Sequence, residues 1–395
     1  MRALAGVKVL EYAGFIAGPY CGRLLADLGA EVIKIEPPGG DPARAYGPFA
    51  GDVPHPEKSA LFVHLNTNKL GITLDLEAKE GQQIFRELAN GADIVIEDCA
   101  PGRFDALGLG YDELAKLNPR LVLTSITAFG QTGPYRDYEA RHIQLFNATE
   151  GGNSARRRDD RPTQTGGFIG EYDGGLNAGV ATLAALYSSQ LTGEGQHVDI
   201  SKFEAMAALQ RIDISIRRNA DRVLDYRRGS SIGGLVPCKD GYVVITTPED
   251  HQWQYLMDMM GNPEWSKDPR YQERDERPKH SKEIQPRVIE WMKEHTKEEI
   301  YRLGQEAKAP LGPVLTIPEL LDSPQLAARD FFAEVDHPVA GKHRQPGMAF
   351  RMSESPWRAV RPAPRLGEHN QEIYGGRLAY TEQKLAALRQ AGVIG

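Results

Sequence analysis

Short apolar runs alternate with helical stretches through the first 130 residues, and this alternation restricts the fold more than any other feature. Val7-Lys8-Val9-Leu10-Glu11 precedes a Gly/Pro turn, a helical stretch from Tyr20 to Leu28, and the run Glu31-Val32-Ile33-Lys34-Ile35-Glu36. Strand, helix and second strand make a βαβ unit, whose crossover implies parallel pairing. The pattern recurs in Gly71-Ile72-Thr73-Leu74-Asp75-Leu76, the amphipathic helix Gly81 to Ala89 and Asp93-Ile94-Val95-Ile96-Glu97. A Pro/Gly loop, a helix from Tyr111 to Leu117 and the strand Leu121 to Ile126 follow. The expected architecture is a doubly wound α/β domain with a parallel sheet. Ligands of such sheets gather beyond the carboxyl ends of the strands, so the loops after Leu10, Ile35, Ile96 and Ile126 are candidates for a binding crevice.

Beyond this repeat, Gly130 to Gly170 is polar and glycine-rich and includes Arg156, Arg157, Arg158 and Arg161. A loop of that length is either functional or disordered. The Ala- and Leu-rich stretch Leu176 to Leu186 reads as a buried helix, and Thr192-Gly193-Glu194-Gly195-Gln196 turns into a strand His197 to Ile200. Ser201, with Glu204 as capping-box partner, opens a helix expected to reach Arg218. The character changes near Tyr226, where a Gly/Ser stretch precedes the strand Gly241 to Ile245. Helical, charge-rich segments then carry Trp253, Trp265 and Trp291 as core anchors. The reading is a large α/β domain over 1–224, a small α+β domain over 225–325, and a Pro/Gly-rich return to the large domain over 326–395 ending in a helix Glu382 to Ala391.

Several function classes drop out. No run of about 18 apolar residues occurs, and the N-terminus lacks a signal-peptide layout, so no membrane partner and a cytoplasmic location are expected. Cys21, Cys99 and Cys238 form no CxxC or Cys/His cluster, which argues against disulfides and a metal site. A net charge of −7 disfavours nucleic acid. There is no Gly-x-Ser-x-Gly elbow, HExxH or phosphate-loop motif, and Gly14 to Pro19 lacks the third glycine of a dinucleotide fingerprint. Carboxylate chemistry is left. Gly166 to Gly175 places Glu171 and Asp173 among five glycines just before a helix, where free N–H groups favour an anion and glycines let a ligand approach. A carboxylate that merely caps the helix is the structural alternative.

Ordered stretches along nearly the whole chain resemble one family, the class III CoA-transferases, which also includes the α-methylacyl-CoA racemases. They run from Ala17-Gly18-Pro19 and Leu25 to Glu36 through Leu65-Asn66-Thr67-Asn68-Lys69, Asn118-Pro119-Arg120-Leu121, Phe129 to Pro134 and Thr192 to Gln196. Asp268-Pro269-Arg270, Gly312-Pro313-Val314 and Leu366 to Asn370 continue the series. The resemblance implies ring-shaped subunits that interlock as a dimer, either two copies or a heteromer with a paralogue. It implies acyl-CoA and a small carboxylic acid as partners, with CoA as substrate and no tightly bound cofactor. The family's catalytic Asp lies four residues before a glycine, ahead of a helix ending Ala-Ala-Leu; counting back from Ala184-Ala185-Leu186 through Gly175 gives Glu171. The carboxylate is kept and its arm is one methylene longer.

Carried over in the same way, Phe15, Ile16, Lys69, Asp98, Cys99 and Arg103 line a CoA site, Lys69, Arg44 and Arg103 meet phosphates, and His142 or Arg141 contacts the acyl group. Gly233 and Gly234 supply a mobile cover over the substrate. The chain departs from the family where Pro37 follows Ile35-Glu36, where Asp98-Cys99 replaces an Asn-Phe pair, and at Lys69-Leu70. Two alternatives stay open: α-proton transfer by His142 with Glu171, and a partner subunit without activity of its own. Arg156, Arg157, Arg158 and Arg161 either attract an acidic substrate or form a solvated loop.

Overall fold

The computed structural model describes residues 2–149, 151, 162–210, 214–215, 232–247 and 249–395. The Arg156 to Arg161 loop and Arg218 lie outside the described residues. Contacts divide the chain into two units, Met1–Ile216 with Arg329–Gly395, and Arg217–Ala328.

Six strands form the sheet of the first unit: β1 (Lys8–Tyr12), β2 (Glu31–Glu36), β3 (Leu70–Thr73), β4 (Ile94–Glu97), β5 (Val122–Thr127) and β6 (His197–Ser201). Their order is β3-β2-β1-β4-β5-β6, and every neighbouring pair is parallel. The expected doubly wound α/β class is therefore the observed one. Successive residues feed opposite cores, which explains why the strands read as continuous apolar runs. Leu10, Ile33, Val95 and Leu123 pack with Phe85, Leu114 and Leu385 on one face. Val9, Val32, Ile94 and Val122 pack with Cys21, Leu25, Ala178 and Ala185 on the other.

The order reverses between β1 and β4, so a crevice opens between the loops that follow them. Asp98, just past β4, ties these loops together by accepting the Gly14 N–H at 3.1 and 2.9 Å through its two oxygens.

From Ile169 on, the glycine-rich stretch before Leu176 is helical rather than a loop. One helix spans Ile169–Thr192, so both acidic residues lie in its opening turns. Its glycines serve close packing: a Cβ at Gly175 would come 2.5 Å from the Ala17 carbonyl oxygen, and one at Gly174 would come 2.9 Å from Lys202 Cγ. The helix after Ser201 covers Lys202–Leu209 and closes at Gln210.

The second unit is built on an antiparallel sheet of β7 (Gly233–Cys238), β8 (Gly241–Thr246) and β9 (Leu311–Pro313). Its core contains Trp253, Leu256, Val288 and Ile300, with Trp265 and Trp291 partly buried at the edge. Gly233 and Gly234, expected as a mobile cover, are strand residues here, paired with Thr246 and Ile245. A Cβ at Gly233 would come 2.6 Å from the Ile245 carbonyl oxygen, so tight pairing requires a glycine. In the first unit a hairpin of β10 (Phe332–His337) and β11 (Gly341–Pro346) precedes a terminal helix Glu382–Gln390. Among the described residues no helix is long and apolar enough to cross a membrane, and no cluster of His, Cys, Asp or Glu is placed to hold a metal.

Candidate active site

Glu171 sits in the first turn of the helix Ile169–Thr192 and is 6% exposed. The unpaired N–H groups and dipole of that helix end favour its negative charge. The residue before the helix, Phe168, has φ 56° and ψ 37°, a left-handed backbone that turns the chain abruptly into the first turn. Lys202 faces Glu171, with its Nζ 3.0 Å from both carboxylate oxygens. It is the first residue of the helix Lys202–Leu209, placed there by β6 and by Ser201, whose hydroxyl accepts the Glu204 N–H at 3.2 Å. The stem of Lys202 lies against the bare backbone of Gly174.

Sequence reasoning missed Lys202, although a signal existed. It follows the last residue of a parallel strand, the position that the carboxyl-end rule marks; the rule had been applied only to the strands of the N-terminal repeat.

His142 opens the helix His142–Ala148 and is buried, with its ring 5.8 Å from Phe146 and 5.7 Å from Phe168 between centroids. Neither ring nitrogen has a hydrogen-bond partner among the described residues. Burial holds the imidazole below its ordinary pKa; Glu171 pulls it up and Lys202 pushes it down, so the ring shares one electrostatic environment with both. A neutral imidazole offers one donor and one acceptor. Asp173 stands roughly 200° around the helix from Glu171 at about 100° per residue. Burial raises its carboxyl pKa, and its Oδ2 has no partner among the described residues.

A cleft of about 510 Å³ is lined by Asp98, Cys99, Arg136, Arg141, Gln144 and Lys202, among others. Burial pushes the Asp98 carboxyl up to about 7, while the Gly14 N–H and the cations Lys34 and Lys202 oppose the shift. Burial, together with Glu97 and Asp98, also drives the Cys99 thiol well above its usual range, so it is no thiolate nucleophile. A second cavity of about 640 Å³ is lined by Tyr46, Phe49, Leu61, Phe168, Tyr172 and Arg344, among others. Phe15, Tyr46 and Phe168 meet edge to face beside it, with centroids 5.3 to 5.6 Å apart.

The structure thus brings Glu171, His142, Arg141, Asp98, Cys99 and Phe15 into one region of the first unit. The other expected residues are buried, paired at the surface, or part of the second unit. Ile16 is fully buried at the start of the helix Ala17–Asp27. Lys69 is fully buried, with its ammonium 2.7 Å from Glu11 Oε2, 2.8 Å from the Pro19 carbonyl oxygen and 2.9 Å from Asn66 Oδ1, so no phosphate reaches it. Arg44 is buried and holds both oxygens of Glu36, at 2.7 and 2.8 Å. Arg103 is at the surface, paired with Glu77. Gly233 and Gly234 belong to the second unit.

The sequence profile described as CoA-transferase family III matches residues 4–370. The chain is 36% identical to the succinyl-CoA–D-citramalate CoA-transferase of Chloroflexus aurantiacus, over 100% of this chain and 98% of that protein. It is 33% identical to a formyl-CoA:oxalate CoA-transferase of Streptomyces coelicolor, over 100% and 99% respectively. Among solved structures, a CAIB/BAIF family protein from Brucella suis superimposes with a TM-score of 0.85 at 28% identity, covering 95% of this chain and 99% of that one. The profile match over residues 4–370 and the relatives matched over nearly their full length show that the chain belongs to CoA-transferase family III.

Proposed function

We propose that the protein moves CoA from an acyl-CoA donor to a small carboxylic acid, with Glu171 as the nucleophile. The observation that carries this reading is the buried Glu171 carboxylate at a helix N-terminus, held by both oxygens on Lys202. A Glu171 oxygen attacks the acyl carbonyl, the C–S bond breaks, and CoA leaves as a thiolate, giving a mixed anhydride. The thiolate then attacks the Glu171 carbonyl and expels the donor acid as a carboxylate, which leaves a glutamyl-CoA thioester. The acceptor carboxylate repeats both steps in reverse and frees Glu171. One difficult exchange becomes two easier ones, and the thioester bond is conserved without a phosphate donor. In this reading the free N–H groups of the helix end and a neutral His142 stabilise the oxyanions.

In this reading the acid enters the cleft at Lys202, Arg136 and Arg141, whose lining also carries Asp98, Asp137 and Glu139, and the apolar cavity beside Phe168 and Tyr172 takes the thioester chain. Phe15, Asp98 and Cys99 border the reacting end, and Arg103 stands outside it. The relatives named above act on short, polar acids, and a short acid suits a cleft of about 510 Å³. CoA is a substrate rather than a resident cofactor, and the working form is a cytoplasmic dimer of interlocked subunits.

Incubation with an acyl-CoA, followed by borohydride reduction and peptide mass analysis, tests the reading. A CoA-dependent modification confined to the Glu171 peptide, absent in Glu171→Gln, is the expected result. The unpartnered nitrogens of His142 favour a second reading, α-proton transfer with Glu171. It predicts solvent deuterium at the acyl α-carbon and no adduct. Neither signal would mark a subunit without activity of its own.

A further inference from the structure

We propose that Lys202 is the anchor for the acceptor's carboxylate, and that it changes partners during the reaction, from Glu171 in the resting enzyme to the incoming acid in the thioester intermediate. The inference rests on Glu171 being the nucleophile. In the resting structure the Lys202 side chain is 16% exposed, and among the described residues its hydrogen bonds all go to Glu171. Once Glu171 becomes a thioester it carries no charge, and a largely buried ammonium is left without its counter-ion. An uncompensated charge in such a site is strongly unfavourable, so the intermediate draws in an anion.

The anion it draws in is the second substrate. Lys202 lines the cleft of about 510 Å³, so a carboxylate entering there meets the ammonium within reach of the Glu171 carbonyl it must attack. The carboxylates of the cleft are poor replacement counter-ions: Asp137 is exposed and paired with Arg136, Glu139 is exposed, and Asp98, pushed up to about 7 by burial, carries only part of a charge at neutrality and has its oxygens taken by the Gly14 N–H. The Lys202 stem also helps set where the ammonium lies. It runs over Gly174, where a Cβ would come 2.9 Å from Lys202 Cγ, so the glycine makes the channel that aims the lysine. When the acceptor has been converted to its thioester, Glu171 regains its charge and recaptures Lys202, which helps release the neutral product end.

The test separates the two half-reactions. In Lys202→Met the buried Glu171 loses its partner and adduct formation from acyl-CoA slows, but when the adduct already formed is chased with acceptor acid, the KM for that acid rises roughly 10- to 100-fold, the worth of one charge-assisted hydrogen bond. Lys202→Arg restores most of that loss, because the guanidinium also pairs with a carboxylate. Gly174→Ala, which crowds the stem but keeps the charge, raises the acceptor KM in the same direction and serves if the methionine variant folds poorly. In Lys202→Met, turnover lost only as far as adduct formation is slowed, with the acceptor KM of the chase unchanged, would show that Lys202 only positions Glu171 and would overturn the anchor. An adduct missing from the wild-type protein would instead overturn the nucleophile assignment, and the anchor with it.

Discussion

Phe15 and Phe168 both hold a left-handed backbone, at φ 61° and 56°, and their rings meet edge to face with centroids 5.3 Å apart. One belongs to the loop after β1; the other immediately precedes the helix that carries Glu171. A bulky residue in this region of backbone space is strained by about 1–2 kcal/mol, and the aromatic contacts with each other and with Tyr46 offset it. Phe168→Gly and Phe168→Ala both delete the ring, but only glycine relieves the strain. The glycine variant is expected to be the more stable of the two by about 1 kcal/mol in urea unfolding, with kcat lowered in both. Equal stabilities would show that the left-handed turn is not strained.

Glu171 and Lys202 are matched in length. Shortening the carboxylate in Glu171→Asp pulls it back by about one methylene, roughly 1.5 Å, and a displacement near 1 Å can cost about 100-fold in rate. Glu171→Asp is therefore expected to lose about 10- to 100-fold in kcat. Adding Lys202→Arg, whose fork reaches further, should recover part of that loss. A double-mutant cycle for kcat would read the coupling, and additive effects would show that the pair acts independently.

Much of the fold was legible because its signals are local. β2 and the helix Tyr111–Leu117 match the expected ranges residue for residue, since apolar period and turn punctuation define both. The start of the Glu171 helix was not legible. Glycines read as loop punctuation, whereas Gly170, Gly174 and Gly175 line a packing face set by Met206, Lys202 and Ala17. The Lys202 partner was hidden for a related reason: it lies 31 residues from Glu171, and only the sheet brings β6 beside β5 and the helix that follows. The buried cations misled in the opposite direction. Lys69 and Arg44 suggest phosphate contacts, yet both are buried and pair internally, with Glu11 and Glu36.

The interior position of Lys69 gives a clean separation between a structural and a CoA-binding role. Burial lowers its pKa to about 8 against the pull of Glu11, and the ammonium remains paired at 2.7 Å. Lys69→Met leaves Glu11 with Lys34 at 3.3 Å as its remaining ion-pair partner. Breaking a buried pair in this way destabilises by about 3–5 kcal/mol, so the denaturation midpoint should fall sharply. The CoA dissociation constant of the folded variant should be unchanged. Weaker CoA binding at unchanged stability would place Lys69 in the CoA site after all.

Glu97, at the end of β4, makes the fold's stability depend on pH. Burial raises its pKa to about 7, although the Cys99 N–H donates to Oε2 at 2.7 Å and favours the charged form. The folded state therefore holds a proton that the unfolded chain, with a carboxyl near 4.5, has already released. The linked stability is fully present below the unfolded value and is lost as pH rises through about 7. Asp98, also raised to about 7, adds a loss of the same sign. Glu97→Gln keeps an acceptor oxygen and removes the titration. Its urea midpoint should exceed that of wild type at about pH 8, approach it at about pH 4, and vary less in between, with the residual slope belonging to Asp98. A variant whose midpoint falls below wild type at the higher pH would show that the Glu97 carboxylate is stabilising when charged, against the desolvation argument.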